Sequence, residues 1–233
     1  MNTTTLKWNK ITFLWLLFLC SQLSIAQQNN HLNLRYFGTE EGLSHRQVNC
    51  IHQDQQGFIW IGTTYGLNRF DGYGFEWWTK EINGLTSNRI KNIIEDAEGY
   101  LWIMDQGNFN NTYAERIKSI DFLHSQSLEI VSWEERFGEK LPFSLERIYA
   151  DVRTAGTDQT LYFGTGEGAN LISYHPKSGL QIFPIEEFQD FFPIAFSEQQ
   201  TIWGIGDENV ILEIDTQGNI LHQFPQEYAV GSK

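Results

Sequence analysis

Two stretches of this chain repeat one another at a fixed offset. Gly42, Leu43, Val48, Ile51, Asp54, Gly57, Trp60 and Ile61 return as Gly84, Leu85, Ile90, Ile93, Asp96, Gly99, Trp102 and Ile103, each pair 42 residues apart. An offset held through eight positions restricts the chain to architectures in which each unit copies its neighbour and buries its apolar surface by stacking on it.

Each unit reads as short strands. Val48 to Gln53 ends at Asp54-Gln55-Gln56-Gly57, and Phe58 to Thr63 (FIWIGT) is rich in β-formers. Asp54 suits the turn because its carboxylate accepts from the following amides, and Gly57 because it tolerates a left-handed backbone. After Thr64-Tyr65-Gly66 the chain returns through Leu67 to Phe70, turns at Asp71-Gly72 and ends in Phe75 to Thr79 (FEWWT).

Looser copies follow. Leu145 to Asp151, a turn at Thr157-Asp158-Gln159, Leu161 to Thr165 and Leu171 to Tyr174 form a third. Phe192 to Phe196, a turn at Ser197 to Gln200, Thr201 to Gly204 and Val210 to Ile214 form a fourth, with Trp203 lying 41 residues after Tyr162. The step from Trp102 to Tyr162 is 60 residues, which predicts an insertion of roughly 18 within Asn108 to Pro142.

A period of about 40–45 residues carrying four short strands is the signature of a β-propeller blade. The predicted fold is therefore all-β, with four four-stranded antiparallel repeats forming an incomplete propeller. Blades are placed at about 42–80, 84–133 (insertion 108–142), 145–184 and 192–225. Trp60, Trp102 and Trp203, with Tyr162 in the matching place, are expected to fill the wedges between blades rather than to hold a ligand.

The first 26 residues have the pattern of a cleaved signal peptide. Lys7 and Lys10 precede the apolar run Ile11 to Leu19, and Ser24-Ile25-Ala26 offers a small-residue cleavage site. A periplasmic location is expected. Cleavage removes two lysines and no acid, so the formal charge moves from -13 to -15. Such an acidic product argues against nucleic acid and anionic membrane surfaces as partners. Cys20 leaves with the leader, and Cys50 is expected to be a small apolar residue on a buried strand.

The segment EGLSHRQVNCIHQDQQGFIWIGTTYGLNRFDGYGFEWW, Glu41 to Trp78, resembles a blade of the two-component regulator propellers, and GLTSNRIKNIIEDAEGYLWI, Gly84 to Ile103, continues the likeness. The second copy departs where Met104-Asp105 replace Gly-Thr. The resemblance implies the sensing region of a periplasmic sensor. In that family about seven blades close a ring, and an immunoglobulin-like module, a membrane span and a kinase or DNA-binding output follow. On this reading the chain is an amino-terminal part, and Leu32 to Phe37 (LNLRYF) would supply a closing strand. Blade edges left open would then invite self-association.

The usual catalytic patterns are missing from the sequence: there is no G-x-S-x-G, H-E-x-x-H or Cys-x-x-Cys, and Phe163 to Gly168 is a Gly-rich hairpin turn, with no helix to make it a phosphate cradle. The histidines are scattered, and Asp54, Asp71, Asp96, Asp158 and Asp215 read as turn residues. No catalytic residue, metal or cofactor is expected.

In a propeller, loops leading into the innermost strand share one face with those joining the second strand to the third. By this parse that face carries Ser44, His45, Arg46, Thr64 and Tyr65, then Ser87, Asn88, Arg89, Gln106, Gly107 and Asn108. His45, Arg46, Tyr65, Asn88, Arg89 and Asn108 are the candidate ligand-binding residues, a mixture of amide, guanidinium and aromatic groups suited to a sugar. The insertion is expected beside this face or along the outer rim. The functional expectation is a sensor of a small extracellular ligand such as an oligosaccharide. An exported propeller lyase or hydrolase, and a protein-interaction scaffold, are the alternatives.

Overall fold

The computed structural model describes residues 34–106, 117–138, 148, 154–155, 158–166 and 168–224. The expected leader, residues 1–26, lies outside them, as does Asn108. Of the first compact unit, Met1–Tyr36, only residues 34–36 are described, and they are irregular. The predicted strand over Leu32 to Phe37 is not formed in its described part, 34–37. Phe37 opens the second unit and packs edge-on to Phe70 and Phe75, at 4.8 and 6.0 Å between ring centres.

That second unit holds four antiparallel four-stranded sheets. Blade 1 consists of β1 (Val48–Gln53), β2 (Ile59–Thr63), β3 (Gly66–Phe70) and β4 (Phe75–Trp78). Blade 2 consists of β5 (Ile90–Glu95), β6 (Tyr100–Gln106), β7 (Ile117–His124) and β8 (Ile130–Val131). Blade 3 has β9 (Thr154–Ala155), β10 (Leu161–Gly164), β11 (Asn170–His175) and β12 (Gly179–Pro184). Blade 4 has β13 (Phe191–Phe196), β14 (Ile202–Gly206), β15 (Ile211–Ile214) and β16 (Ile220–Phe224). Each sheet pairs in sequence order, and the first strands of neighbouring blades, β1 with β5 and β9 with β13, lie side by side at the inner edge.

Every junction between blades has its own apolar core. Trp60, Leu67 and Trp78 of blade 1 meet Ile90, Ile93, Leu101, Ile103 and Leu123 of blade 2. On the other side of blade 2, Ile94, Trp102, Met104, Ile120 and Phe122 meet Leu161, Phe163, Ile172 and Tyr174. Tyr162 and Leu171 then face Phe191, Ile202, Leu212 and Ile214. Side chains alternate along a strand, so each blade offers a forward face, with the aromatic ring, and a rear face of mainly aliphatic residues.

The turns tie these rings down. In blade 1, Asp54 Oδ1 accepts from the amides of Gln56 and Phe58, both at 2.9 Å, while Oδ2 accepts the Trp60 indole N–H at 2.7 Å. Blade 2 repeats this with Asp96: the amides of Glu98 and Tyr100 donate to Oδ1, and Trp102 donates to Oδ2 at 2.7 Å. The sequence anticipates the cap but not the indole, so the aspartate joins hairpin geometry to interblade packing. Gly57 and Gly99 close these turns at φ of +92° and +82°, where a Cβ would be strained.

Two later repeats depart from the expected pattern. In blade 3 the predicted strand over Leu145 to Asp151 falls mostly outside the described residues; Ile148 bridges Thr165, and the regular pairing is made by β9. Trp203 occupies the matching register in blade 4, yet it lies on the forward face that no further blade covers among the described residues. There it is half-buried and stacks on Phe224 at 5.7 Å.

The described part of the insertion region contains β7, β8 and a short helix, α2 (Trp133–Phe137), which follows α1 (Lys80–Asn83) in chain order. Ser132 and Glu135 form a capping box around the start of α2. Arg136 runs from this helix over the Tyr100 ring, 3.9 Å from its centre, to reach Asp96 Oδ2 at 2.6 Å. It also donates to the Tyr174 hydroxyl at 3.2 Å, bridging blades 2 and 3. Such a buried cation is tolerable because carboxylate, phenol and ring faces surround it. The helix thus extends the outer part of blade 2 at the end where the Asp96 turn lies.

Cys50 faces the same junction as Trp60, and burial pushes its thiol up to about 12. Alkylation at mildly basic pH is therefore expected to be negligible in the folded protein and rapid once it unfolds, as read by mass spectrometry of the Cys50 peptide. Asp54→Ala removes three hydrogen bonds from a buried carboxylate, with an expected loss of about 2–4 kcal/mol in urea denaturation. A loss below about 0.5 kcal/mol would show that the turn and the blade junction are not coupled.

Candidate ligand-binding face

Strand direction fixes which loops meet. β1 and β2 are joined by the Asp54 turn at one end, so the loop leading into β1 and the β2–β3 turn fall at the other. The Thr64 amide donates to the Gln47 carbonyl at 3.2 Å, and its hydroxyl lies 3.1 Å from His45 Nδ1. The Gly66 amide donates to the Asn88 carbonyl at 2.6 Å, which brings the loop of blade 2 beside the Tyr65 turn. Of the sequence-derived candidates, His45, Tyr65 and Asn88 are thus brought together through their loops.

Their side chains differ in availability. His45 Nδ1 accepts from the Gln47 amide at 3.0 Å, so one ring nitrogen is engaged locally. Tyr65 and Arg46 are exposed, and Arg89 is half-buried with its amide bonded to Ser87 Oγ at 3.1 Å. Asn88 is occupied by the fold: its Oδ1 accepts from the Lys80 amide at 2.7 Å, at the start of α1, and its Nδ2 donates to Glu81 at 2.8 Å. That bond, the largest influence, holds the Glu81 carboxyl below its ordinary value.

The same loops are anchored from beneath by a repeated contact that the sequence analysis missed. Asn68, on β3, accepts from the Ser44 amide and donates to the Ser44 hydroxyl, both at 2.8 Å. Asp121, on β7, accepts from the amide of Thr86 at 2.8 Å and from its hydroxyl at 2.7 Å. Ser44 and Thr86 are 42 residues apart, so the repeat itself was the available signal.

Beside this anchor lies a cavity of ≈ 220 Å³ lined by Lys80, Thr86, Ser87, Asn88, Asp105 and Ser119. Asn88 is the one earlier candidate in its wall. Lys80, Asp105 and Ser119 were not anticipated, although Met104-Asp105 marks where the second repeat breaks from the first. Ser119 is only 8% exposed, and its hydroxyl has no hydrogen-bond partner among the described residues. A buried hydroxyl in that state is poised to bond a guest. A larger groove of ≈ 630 Å³ runs along β12 and β16, and none of the sequence-derived candidates lines it.

The architecture is that of a β-propeller blade array. Residues 42–65 and 84–107 match the two component regulator propeller family. Over 61 residues the chain is 39% identical to histidine kinase P4 of Formosa agariphila, a stretch covering 26% of this chain and 4% of that kinase. Among solved structures, virginiamycin B lyase from Staphylococcus aureus is similar over 76% of this chain and 55% of the lyase, with 17% identity and a TM-score of 0.54. PorZ, a bacterial surface component of the type-IX secretion system of Porphyromonas gingivalis, is similar over 84% of this chain and 30% of its own, with 11% identity and a TM-score of 0.53. These two likenesses are likenesses of fold. The chain spans about half the length of the lyase and a small part of the other two proteins.

Burial raises the Asp121 carboxyl above its ordinary value of 3.8, against the pull of the Thr86 hydrogen bonds. The folded state therefore holds this proton more tightly than the unfolded chain does. Its contribution to stability is full below pH 3.8 and is lost as pH rises through the folded value. Asp121→Asn installs the residue type that blade 1 uses at Asn68. It is expected to keep the Thr86 anchor and to flatten that decline, as read from urea midpoints between about pH 4 and pH 7.

Proposed function

We propose that this chain is part of the ligand-sensing propeller region of a two-component sensor, exported to the periplasm, and that it binds a small polar ligand such as an oligosaccharide. The observation that carries the binding site is the unpartnered hydroxyl of buried Ser119 in a cavity whose wall also includes Lys80, Asp105 and Ser87. Such a set offers directional donors and acceptors in both senses, which is what a hydroxyl-rich ligand demands. At ≈ 220 Å³ the cavity has room for about one sugar ring, and exposed Tyr65 on the neighbouring turn gives a second ring a flat surface.

A sensing role is supported by the family repeats and by the kinase whose sequence resembles one quarter of the chain. On this reading occupancy alters how blades 1 and 2 are held, since Asn88 joins the cavity wall to the Gly66 turn and to α1. The output is a kinase or regulator domain to which such a region is coupled, and this chain's role is recognition rather than turnover.

Calorimetric titration with a panel of neutral and acidic oligosaccharides tests the assignment. At least one is expected to bind, and Ser119→Ala should weaken it by roughly 3–10-fold through loss of one hydrogen bond. Failure of the whole panel, or affinity indifferent to Ser119, would overturn the site.

A further inference from the structure

The cavity under the loops of blade 2 sits where blade 1 has a closed network of neutral groups. Strand register makes the two places equivalent. Thr63 pairs with Val48 and Gly66 as Asp105 pairs with Ile90 and Ser119, and Asn68 lies opposite Ile61 as Asp121 lies opposite Ile103. In blade 1 the Thr63 hydroxyl donates to the Gly66 carbonyl at 3.0 Å and lies 3.0 Å from the Ser44 hydroxyl. Asn68 Nδ2 donates to that same Ser44 hydroxyl at 2.8 Å and to the Ile61 carbonyl at 3.1 Å. Thr63 and Asn68 are buried with their polar atoms satisfied. Blade 3 closes its turn in the same way, Thr165 Oγ1 and Asn170 Nδ2 both donating to the Gly168 carbonyl, at 3.0 and 2.6 Å.

Blade 2 differs from blade 1 at all three positions, and each difference adds a carboxyl or a hydroxyl. Where blade 1 has Thr63, Gly66 and Asn68, blade 2 has Asp105, Ser119 and Asp121, all buried. Asp105 and Ser119 line the cavity of ≈ 220 Å³, and the Ser119 hydroxyl has no partner among the described residues. Asp121 grips Thr86 of the cavity wall through its amide and its hydroxyl, and Glu81 is bonded to Asn88 of the same wall. Lys80 is the one cation in that wall. It is exposed, on a flexible stem that can turn its ammonium to water, whereas Asp105 and Asp121 are held on strands β6 and β7. The charge built into the site is therefore negative.

We propose that the cavity of blade 2 selects a cationic sugar, one that carries a protonated amine, over neutral and acidic sugars. The inference rests on the sugar reading of this cavity and names the class of sugar. An ammonium brings three donors and no acceptor. Asp105 and Ser119, opposite one another across β6 and β7, offer a carboxylate and a hydroxyl side by side to receive them. A uronate would set its own carboxylate against Asp105, with only the mobile Lys80 to offset the repulsion. Burial already raises the Asp121 carboxyl, and a cation bound nearby would favour its ionised form. A positive guest thus supplies the charge that the exchanged residues call for.

Calorimetric titration of the full chain at about pH 6, where an amine is protonated, tests it with three disaccharides of one linkage. These are a glucose disaccharide, its 2-amino counterpart made of glucosamine, and one carrying a glucuronate. The amino sugar differs from the neutral one only by ammonium in place of hydroxyl. It is expected to bind about 5–20-fold tighter, with the glucuronate sugar weakest, and the preference should shrink as salt is raised. Asp105→Asn and Asp105→Thr, the second installing the residue of blade 1, should each bring the ratio of amino to neutral affinity close to one. Asp121→Asn, which keeps the Thr86 anchor, should lower the same ratio and decides the matter where the Asp105 variants do not fold. Neutral or acidic binding as tight as that of the amino sugar, or a preference that survives in the folded variants, would overturn the amine assignment and leave the sugar reading standing. Failure of all three sugars to bind would overturn this inference, and failure of the wider oligosaccharide panel would take the sugar reading with it.

Discussion

The hydrogen bond from an indole N–H to a turn carboxylate is the contact on which the well-formed half of this molecule depends. A propeller blade must settle two matters at once, how its hairpin turns and how its face meets the next blade. Asp54 and Asp96 settle both with one side chain, because one oxygen shapes the turn and the other fixes the ring. Each carboxylate is buried, and its charge is tolerable only because all its hydrogen bonds are made. The ring is among the largest groups in its junction, so a small rotation would open a void that neighbouring side chains could not fill. Local turn chemistry and long-range packing are therefore one event rather than two.

Blade 2 shows what happens when that lock acquires another partner. Arg136 adds a cation to the oxygen of Asp96 that already holds Trp102. Because it also touches Tyr174 of blade 3, the short helix carrying it becomes a clasp across the junction. Neither Asp54 nor the fourth-blade turn has such a clasp among the described residues. In blade 4 the turn position is Ser197, whose hydroxyl pairs with Thr201. With Trp203 six residues later and no aspartate to hold it, the ring lies on the sheet surface against Phe224. The loss of the lock falls on a ring that no blade covers among the described residues.

The sequence made the repeated parts legible because period is a geometric statement. The offset between Trp60 and Trp102 placed both rings on the same face of successive sheets before any coordinate was known. The same offset placed Trp203 in register without saying whether anything covered it, since periodicity reports what a face resembles rather than what touches it. Blade 3 was harder for a different reason. Its inner strand runs as β9 and an isolated bridge at Ile148, a pattern with too little alternation to be read from Leu145 to Ala155. The candidate site was legible as a set of loops but not as a set of side chains. The amide of Asn88 suits a ligand, yet the fold uses it to start α1. Ser119 gave no signal, because its significance comes from burial without a partner, a property of three-dimensional surroundings alone.

The anchors beneath the loops explain why a binding face can vary from blade to blade while the fold does not. Asn68 and Asp121 solve one problem, gripping the chain just before the inner strand, with an amide in one blade and a carboxylate in the next. An amide both donates and accepts, so Asn68 satisfies Ser44 in full and leaves little for a guest. A carboxylate only accepts, so Asp121 takes both donors of Thr86 and carries a charge that burial disfavours. The same backbone position holds an amide in blade 1 and an ionisable carboxyl in blade 2, beside a cavity whose wall includes Lys80. It follows that the loops of a repeat protein can be diversified by exchanging one isosteric side chain beneath them. The strands, held by indoles at the other end of the blade, do not have to move.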